Sequence, residues 1–190
     1  MKFRQHLAIL ALLLWPLFAI GAACEAPHFE NFIPEAVKRP DPRLTAIEIG
    51  MQPVATLRIP DGFTKWGSLP DGSIVFGRHP SGIAGGIGYE TRETVAVHRK
   101  GVAPSDFVRA IFYGLDETGC TYLKGQKLAQ QDYRLHASLG KDAELFAFGT
   151  GERHHFYIVR GDQPDFVLNG LIKGISRSEF ESILSTIQLQ

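Results

Sequence analysis

The chain has 190 residues, 44% of them hydrophobic, with 20 basic side chains against 20 acidic and only two cysteines. That length suits one domain with its own core. The even charge argues against a nucleic-acid binder, and no basic stripe marks a membrane-surface helix.

Lys2 and Arg4 precede an apolar run from Leu7 to Ile20, interrupted by Pro16, and Gly21-Ala22-Ala23 lead to Cys24. Charge, apolar run and small residues in this order read as a secretory signal peptide over residues 1–23. A membrane span needs about 20 apolar residues, and this run is shorter. The mature chain is therefore expected in a bacterial periplasm. Cleavage after Ala23 would give a soluble protein. Ala22-Ala23-Cys24 also resembles a bacterial lipobox, with Gly21 where a bulky aliphatic residue is usual, and lipidation of Cys24 would anchor the chain. Cys120 is the other cysteine, and an even pair in an oxidising compartment reads as a Cys24–Cys120 disulfide. If Cys24 carries lipid instead, Cys120 is a small buried apolar residue.

Residues 24–44 contain Pro27, Pro34, Pro40 and Pro42, a spacing that disfavours helix and predicts an extended lead-in or tether. A single domain is expected over 45–190. Residues 46–51, 54–59 and 73–78 read as strands, separated by the turn signals Pro60-Asp61-Gly62 and Pro70-Asp71-Gly72. Gly82, Gly85, Gly86 and Gly88 predict a loose loop before a β-rich stretch over 94–98. A helix is predicted from Pro104 to about Glu117, with Gly119 as its stop. Tyr133, Leu135, Ala137 and Leu139 alternate with polar residues as a half-buried strand does. Three glycine-containing turns then divide the stretch up to Lys173 into an antiparallel meander. Ser176 and Glu179 have capping-box spacing, and Phe180, Ile183, Leu184 and Ile187 form one apolar stripe of a closing helix. The fold class is therefore α+β, an antiparallel sheet with packed helices.

The order of elements, the Ile59-Pro60-Asp61-Gly62-Phe63 turn and the run from Gly170 through Gly174 into the capped closing helix resemble the PsbP and Mog1 fold. That resemblance covers about 140 residues from Thr45 and implies an α+β sandwich. Exported bacterial members of the fold look like binding proteins without a shared catalytic set. They include envelope lipoproteins and immunity proteins that neutralise antibacterial effectors of the type VI kind. The resemblance thus implies a non-enzymatic periplasmic protein with a protein partner, possessing neither cofactor nor catalytic residues. An envelope lipoprotein supporting assembly or uptake is the first alternative, and a periplasmic hydrolase the second.

Motifs of chemistry are sparse. His154 and His155 are adjacent, so on a strand they point to opposite faces and cannot share a metal; His136 is a conceivable partner across the sheet. The glycines at 82–88 lack the following helix and Lys-Ser/Thr of a phosphate-binding loop. No nucleophile elbow is present, although a triad assembled from scattered residues stays open. The interface candidates are Phe63 and Trp66 between the two Pro-Asp-Gly turns, Gly85 and Gly86 in the glycine-rich segment, and Arg153 in a turn.

Overall fold

The structure is a computed structural model that describes residues 24–37, 47–60, 62–78, 80 and 83–190. The expected signal peptide, the end of the proline-rich lead-in, Asp61 and Gly82 lie outside the described residues. Eleven strands are found among them: β1 (Glu30–Asn31), β2 (Ile47–Met51), β3 (Ala55–Ile59), β4 (Lys65–Ser68), β5 (Ile74–Arg78), β6 (Ile83–Glu90), β7 (Tyr133–Ser138), β8 (Ala143–Thr150), β9 (Arg153–Arg160), β10 (Val167–Lys173) and β11 (Gln188–Leu189). The helices are α1 (Arg92–Ala96), α2 (Pro104–Phe112), α3 (Glu117–Gly125) and α4 (Arg177–Leu184). An eight-stranded sheet runs β1-β7-β8-β9-β10-β6-β5-β4, and a three-stranded one runs β11-β3-β2. All pairs are antiparallel except β1 with β7. The α+β class with an antiparallel sheet is as the residue pattern predicts.

Successive strand residues face opposite sides, and the large sheet uses both. Leu145, Ala147, Phe156, Ile158 and Leu168 share one core with Leu57 and Ile59 of the small sheet and Phe180, Ile183 and Leu184 of α4. Phe146, Phe148, Val159 and Val167 point the other way, into a second core with Phe107, Val108, Ile111, Phe112 and Leu123 of α2 and α3. The small sheet and α4 therefore cover one face, and α1–α3 cover part of the other. The closing helix is capped reciprocally. Glu179 N–H donates to Ser176 Oγ at 3.2 Å, and Ser176 N–H donates to Glu179 Oε2 at 2.9 Å.

Four local expectations change. The helix from Pro104 ends at Phe112; Gly114 turns left-handed at φ 61° and Leu115 is 57% exposed, outside the expected apolar face. Asp116 then caps a new helix by accepting from Gly119 N–H at 2.8 Å. Gly119 is thus an interior residue of α3, where a Cβ would stand 2.7 Å from the Ala110 carbonyl oxygen. Next, the β-rich stretch at 94–98 begins in α1, because Thr91 and Thr94 form a capping box that outweighs β propensity. Third, the described part of the glycine-rich loop is strand β6. Gly85 is required there by the Phe76 ring, which a Cβ would approach to 2.1 Å. Finally, the lead-in is no tether over residues 24–37. β1 pairs with β7 and Phe32 is buried in the first core, so this stretch belongs to the packed body that the sequence pattern starts only near Thr45.

Two ties close the body. Cys24 and Cys120 form a disulfide with Cα atoms 5.8 Å apart, across 96 residues of sequence. A sulfur so bonded has no valence left for a thioether-linked lipid, so the bridge and the lipobox reading of Cys24 exclude each other. Arg160, only 7% exposed, joins the two sheets. Its Nη1 donates to the carbonyls of Pro53 at 3.2 Å, Val54 at 2.9 Å and Gln190 at 2.5 Å, while Nε and Nη2 grip Asp162 at 2.9 and 2.6 Å.

Reduction of the disulfide is expected to lower unfolding free energy by about 4 kcal/mol on the chain-entropy account, read as a drop in the denaturant midpoint with reductant. Arg160→Ala removes the donor to three backbone oxygens, of which Val54 keeps the Gln190 N–H at 3.3 Å, and is expected to cost about 2–4 kcal/mol. Arg160→Lys should recover only part of that loss, since an ammonium lacks the guanidinium fork.

Candidate functional site

The far end of the large sheet is built on aromatic packing. Phe63 is buried, its ring 4.8 Å from Phe76 and edge-on to it. Trp66 sits on β4 at 5.3 Å from Phe76, donating Nε1–H to the Phe63 carbonyl at 2.8 Å, and remains 41% exposed. The guanidinium of Arg78 lies 5.2 Å from the centre of the Phe63 ring. Of the two aromatics expected at a surface loop, one is therefore core and the other is surface on a strand. Among the described residues β4 pairs only with β5, which leaves its outer side as an edge. Such edges carry unpaired backbone groups, and here the strand is short and bears Lys65.

Register brings the remaining candidates together. Directly paired residues in antiparallel strands project from the same face. His155, Leu171, Gly86, Val75 and Gly67 form one row across β9, β10, β6, β5 and β4. Arg153 pairs with Lys173, and Gly77 with Ala84 and Lys65, on that same face two residues further along each strand. These rows lie on the helix-bearing side, beyond the reach of α1–α3. Lys65, Gly67, Ala84, Arg153 and Lys173 are exposed, and Val75 is 39% exposed. Gly86 leaves this strip flat, with no atom nearer than 3.7 Å to where its Cβ would be. The result is an open sheet face with small and aliphatic residues in the middle and cations along one side. Gly86 and Arg153 belong to it. Gly85 faces the first core under Phe76, and Trp66 marks the adjoining edge on that other face. Lys65, Val75, Leu171 and Lys173 escaped the sequence reading because only strand register places them together.

The polar clusters elsewhere are occupied by the fold. His154 and His155 do point to opposite faces. Nε2 of His154 lies 2.8 Å from the Ile175 carbonyl, which can only accept, so Nε2 carries the proton. Nδ1 then accepts from the Tyr133 hydroxyl at 2.6 Å, and both ring nitrogens are used. Burial holds His154 below its usual pKa. His155 stacks on Phe148 at 5.1 Å. Burial, with Arg153 and Lys173 nearby, lowers His155 to about 4. His136 meets Glu144 at 3.3 Å, and Glu144 also accepts from Arg109 Nε at 2.6 Å and from the Tyr113 hydroxyl. Burial would raise the Glu144 carboxyl, but the bonds from Tyr113 and Arg109 outweigh it and hold the pKa below its usual value. A carboxylate so saturated is a poor proton acceptor. Among the described residues, no three His, Cys, Asp or Glu side chains are placed to hold a metal, and no helix is long and apolar enough to cross a membrane.

Compared with known protein families, curated proteins and solved structures, the chain matches none.

Both imidazoles bind protons less readily in the folded chain than in the unfolded one, so protonation favours unfolding. The stability they contribute is complete above pH 6.5 and falls as His155 is carried towards its folded value of about 4. Denaturant midpoints across that window should decline with pH. His155→Phe, which keeps a ring on Phe148, should decline less.

Proposed function

We propose that this protein is an exported, non-enzymatic binding protein whose partner is another protein, docked on the open sheet face and the β4 edge. One observation carries the reading. A flat strip of Gly67, Val75, Gly86 and Leu171 lies beside Arg153, Lys173 and Lys65, on the part of the sheet that α1–α3 leave bare. Apolar surface supplies the affinity in such an interface, and a border of one charge steers and orients the partner. The matching surface is apolar with an acidic margin, and Trp66 at the edge is the kind of side chain that anchors a complex.

The disulfide supports an oxidising compartment, and with the apolar leader it supports the periplasm. Combined with the resemblance to the PsbP and Mog1 fold, this makes an immunity protein, occluding an antibacterial effector delivered to the periplasm, the most specific form of the proposal. The engagement of Cys24 in the bridge counts against the lipoprotein alternative, and the occupied His154 and Glu144 count against a hydrolase.

The test is affinity capture from envelope extract, followed by titration of the recovered partner. One stoichiometric partner is expected. Arg153→Glu with Lys173→Glu, and separately Trp66→Ala, should each weaken binding by about tenfold, near 1.4 kcal/mol, with the thermal midpoint little changed in the charge variant and lowered in Trp66→Ala, which also loses packing on Phe76. Recovery of no partner, or full affinity in both variants, would overturn the docking surface. A partner that poisons cells lacking this protein, and not cells containing it, would support the immunity form.

A further inference from the structure

A hollow of about 520 Å³ opens at the other end of the molecule, next to the disulfide. Its floor is apolar, formed by the Cys24–Cys120 bridge, Leu123 and Leu128. Lys124 and Lys127 also line it, exposed, and neither ammonium group has an ion-pair or hydrogen-bond partner among the described residues. His28 lines it too, and Glu25 is the one carboxylate among its described lining residues.

The walls are fixed rather than loose. The strap of residues 24–28 is tied at one end by the disulfide. At the other end Arg134 Nε donates to the His28 carbonyl at 3.0 Å, and Phe29 packs against Phe112 and Phe146 with ring centres at 5.8 and 5.7 Å. Nη1 of Arg134 donates to the carbonyls of Leu128 at 3.0 Å and Gln131 at 2.9 Å. Those oxygens are thereby satisfied, and the facing turn is held in place. Lys127 has φ 49°, the one left-handed residue other than glycine among the described residues. That conformation is uncommon for a long side chain, and it falls at a residue that lines the hollow.

We propose that this hollow is a binding site for a single-chain anionic amphiphile, an acyl chain ending in a carboxylate. The chain lies over the bridge, Leu123 and Leu128, and the head sits between Lys124 and Lys127. The volume is within the range of about 300–1,000 Å³ for small-molecule sites, and the two unpartnered cations outnumber the lone carboxylate. This site is separate from the sheet face proposed for the protein partner.

Calorimetric titration of the disulfide-bonded protein, purified after expression of the full chain, tests this with sodium decanoate as the probe. Saturable binding of one equivalent is expected. Lys124→Gln with Lys127→Gln should weaken it by about tenfold or more, the loss of two charge-assisted contacts, with an unchanged thermal midpoint. Reduction of the bridge should abolish it by releasing the strap. Absence of saturable binding, decanol binding as tightly as decanoate, acetate binding as tightly as decanoate, or full affinity in the double variant would each overturn the site. Flotation with phosphatidylglycerol vesicles that decanoate does not compete away would assign the lysines to a membrane surface and overturn it equally.

Discussion

Strands β8, β9 and β10 are apolar on both faces, and most of the architecture follows from that. Phe146 and Phe148 alternate with Leu145 and Ala147 along one strand, and each pair lies in a different core. Burying a large apolar side chain is worth about 1.5–3 kcal/mol, so neither face can be left wet. The small sheet and α4 dress one side; α2 and α3 dress the other. Gly170 shows how closely the first layer is fitted, because the Phe156 ring occupies the space a Cβ would need, at 2.1 Å. Gly85 makes the same concession to Phe76. Gly85 of β6 and Gly170 of β10 each receive an aromatic ring, so these two glycines reflect packing and not turns.

The elements read best from sequence were those governed by contacts close along the chain. The 133–139 alternation, the three hairpin turns and the Ser176–Glu179 cap depend on residues a few positions apart, and each appears where its pattern puts it. The errors come from long-range contacts or from local competition. The break at Gly114 depends on a left-handed turn that the apolar spacing of Phe107 to Leu115 does not encode. α1 depends on a threonine pair whose propensity favours strand but whose hydroxyls favour a helix start. The docking of residues 24–37 depends on β7 and on Cys120, both about 100 positions away.

The candidate sites divide in the same way. Trp66 and Arg153 are legible as surface residues because they flank turns. Their relation to Lys65, Leu171 and Lys173 exists only after five strands have been brought into register. The hollow beside the bridge is harder still to foresee. It is assembled from the lead-in, the end of α3 and the turn after it, three segments that share no sequence pattern.

Polar groups of the kinds that serve chemistry are used here to fasten these long-range joints. His154 links β7, β9 and the approach to α4 through Tyr133 and the Ile175 carbonyl. Arg160 fastens the small sheet to the large one, and Glu144 fastens α2 to β8 through Arg109 and Tyr113. A buried polar side chain left without partners is costly, and a nucleophile or base must keep some bonding capacity free for substrate. His154 has none to spare, and Arg160 and Glu144 are largely committed. Among the described residues, unspent bonding capacity at the surface lies in the Lys124 and Lys127 ammonium groups and the outer edge of β4. The recognition role proposed above would draw on these surface groups, one set at each end of the large sheet, and would leave the interior joints untouched.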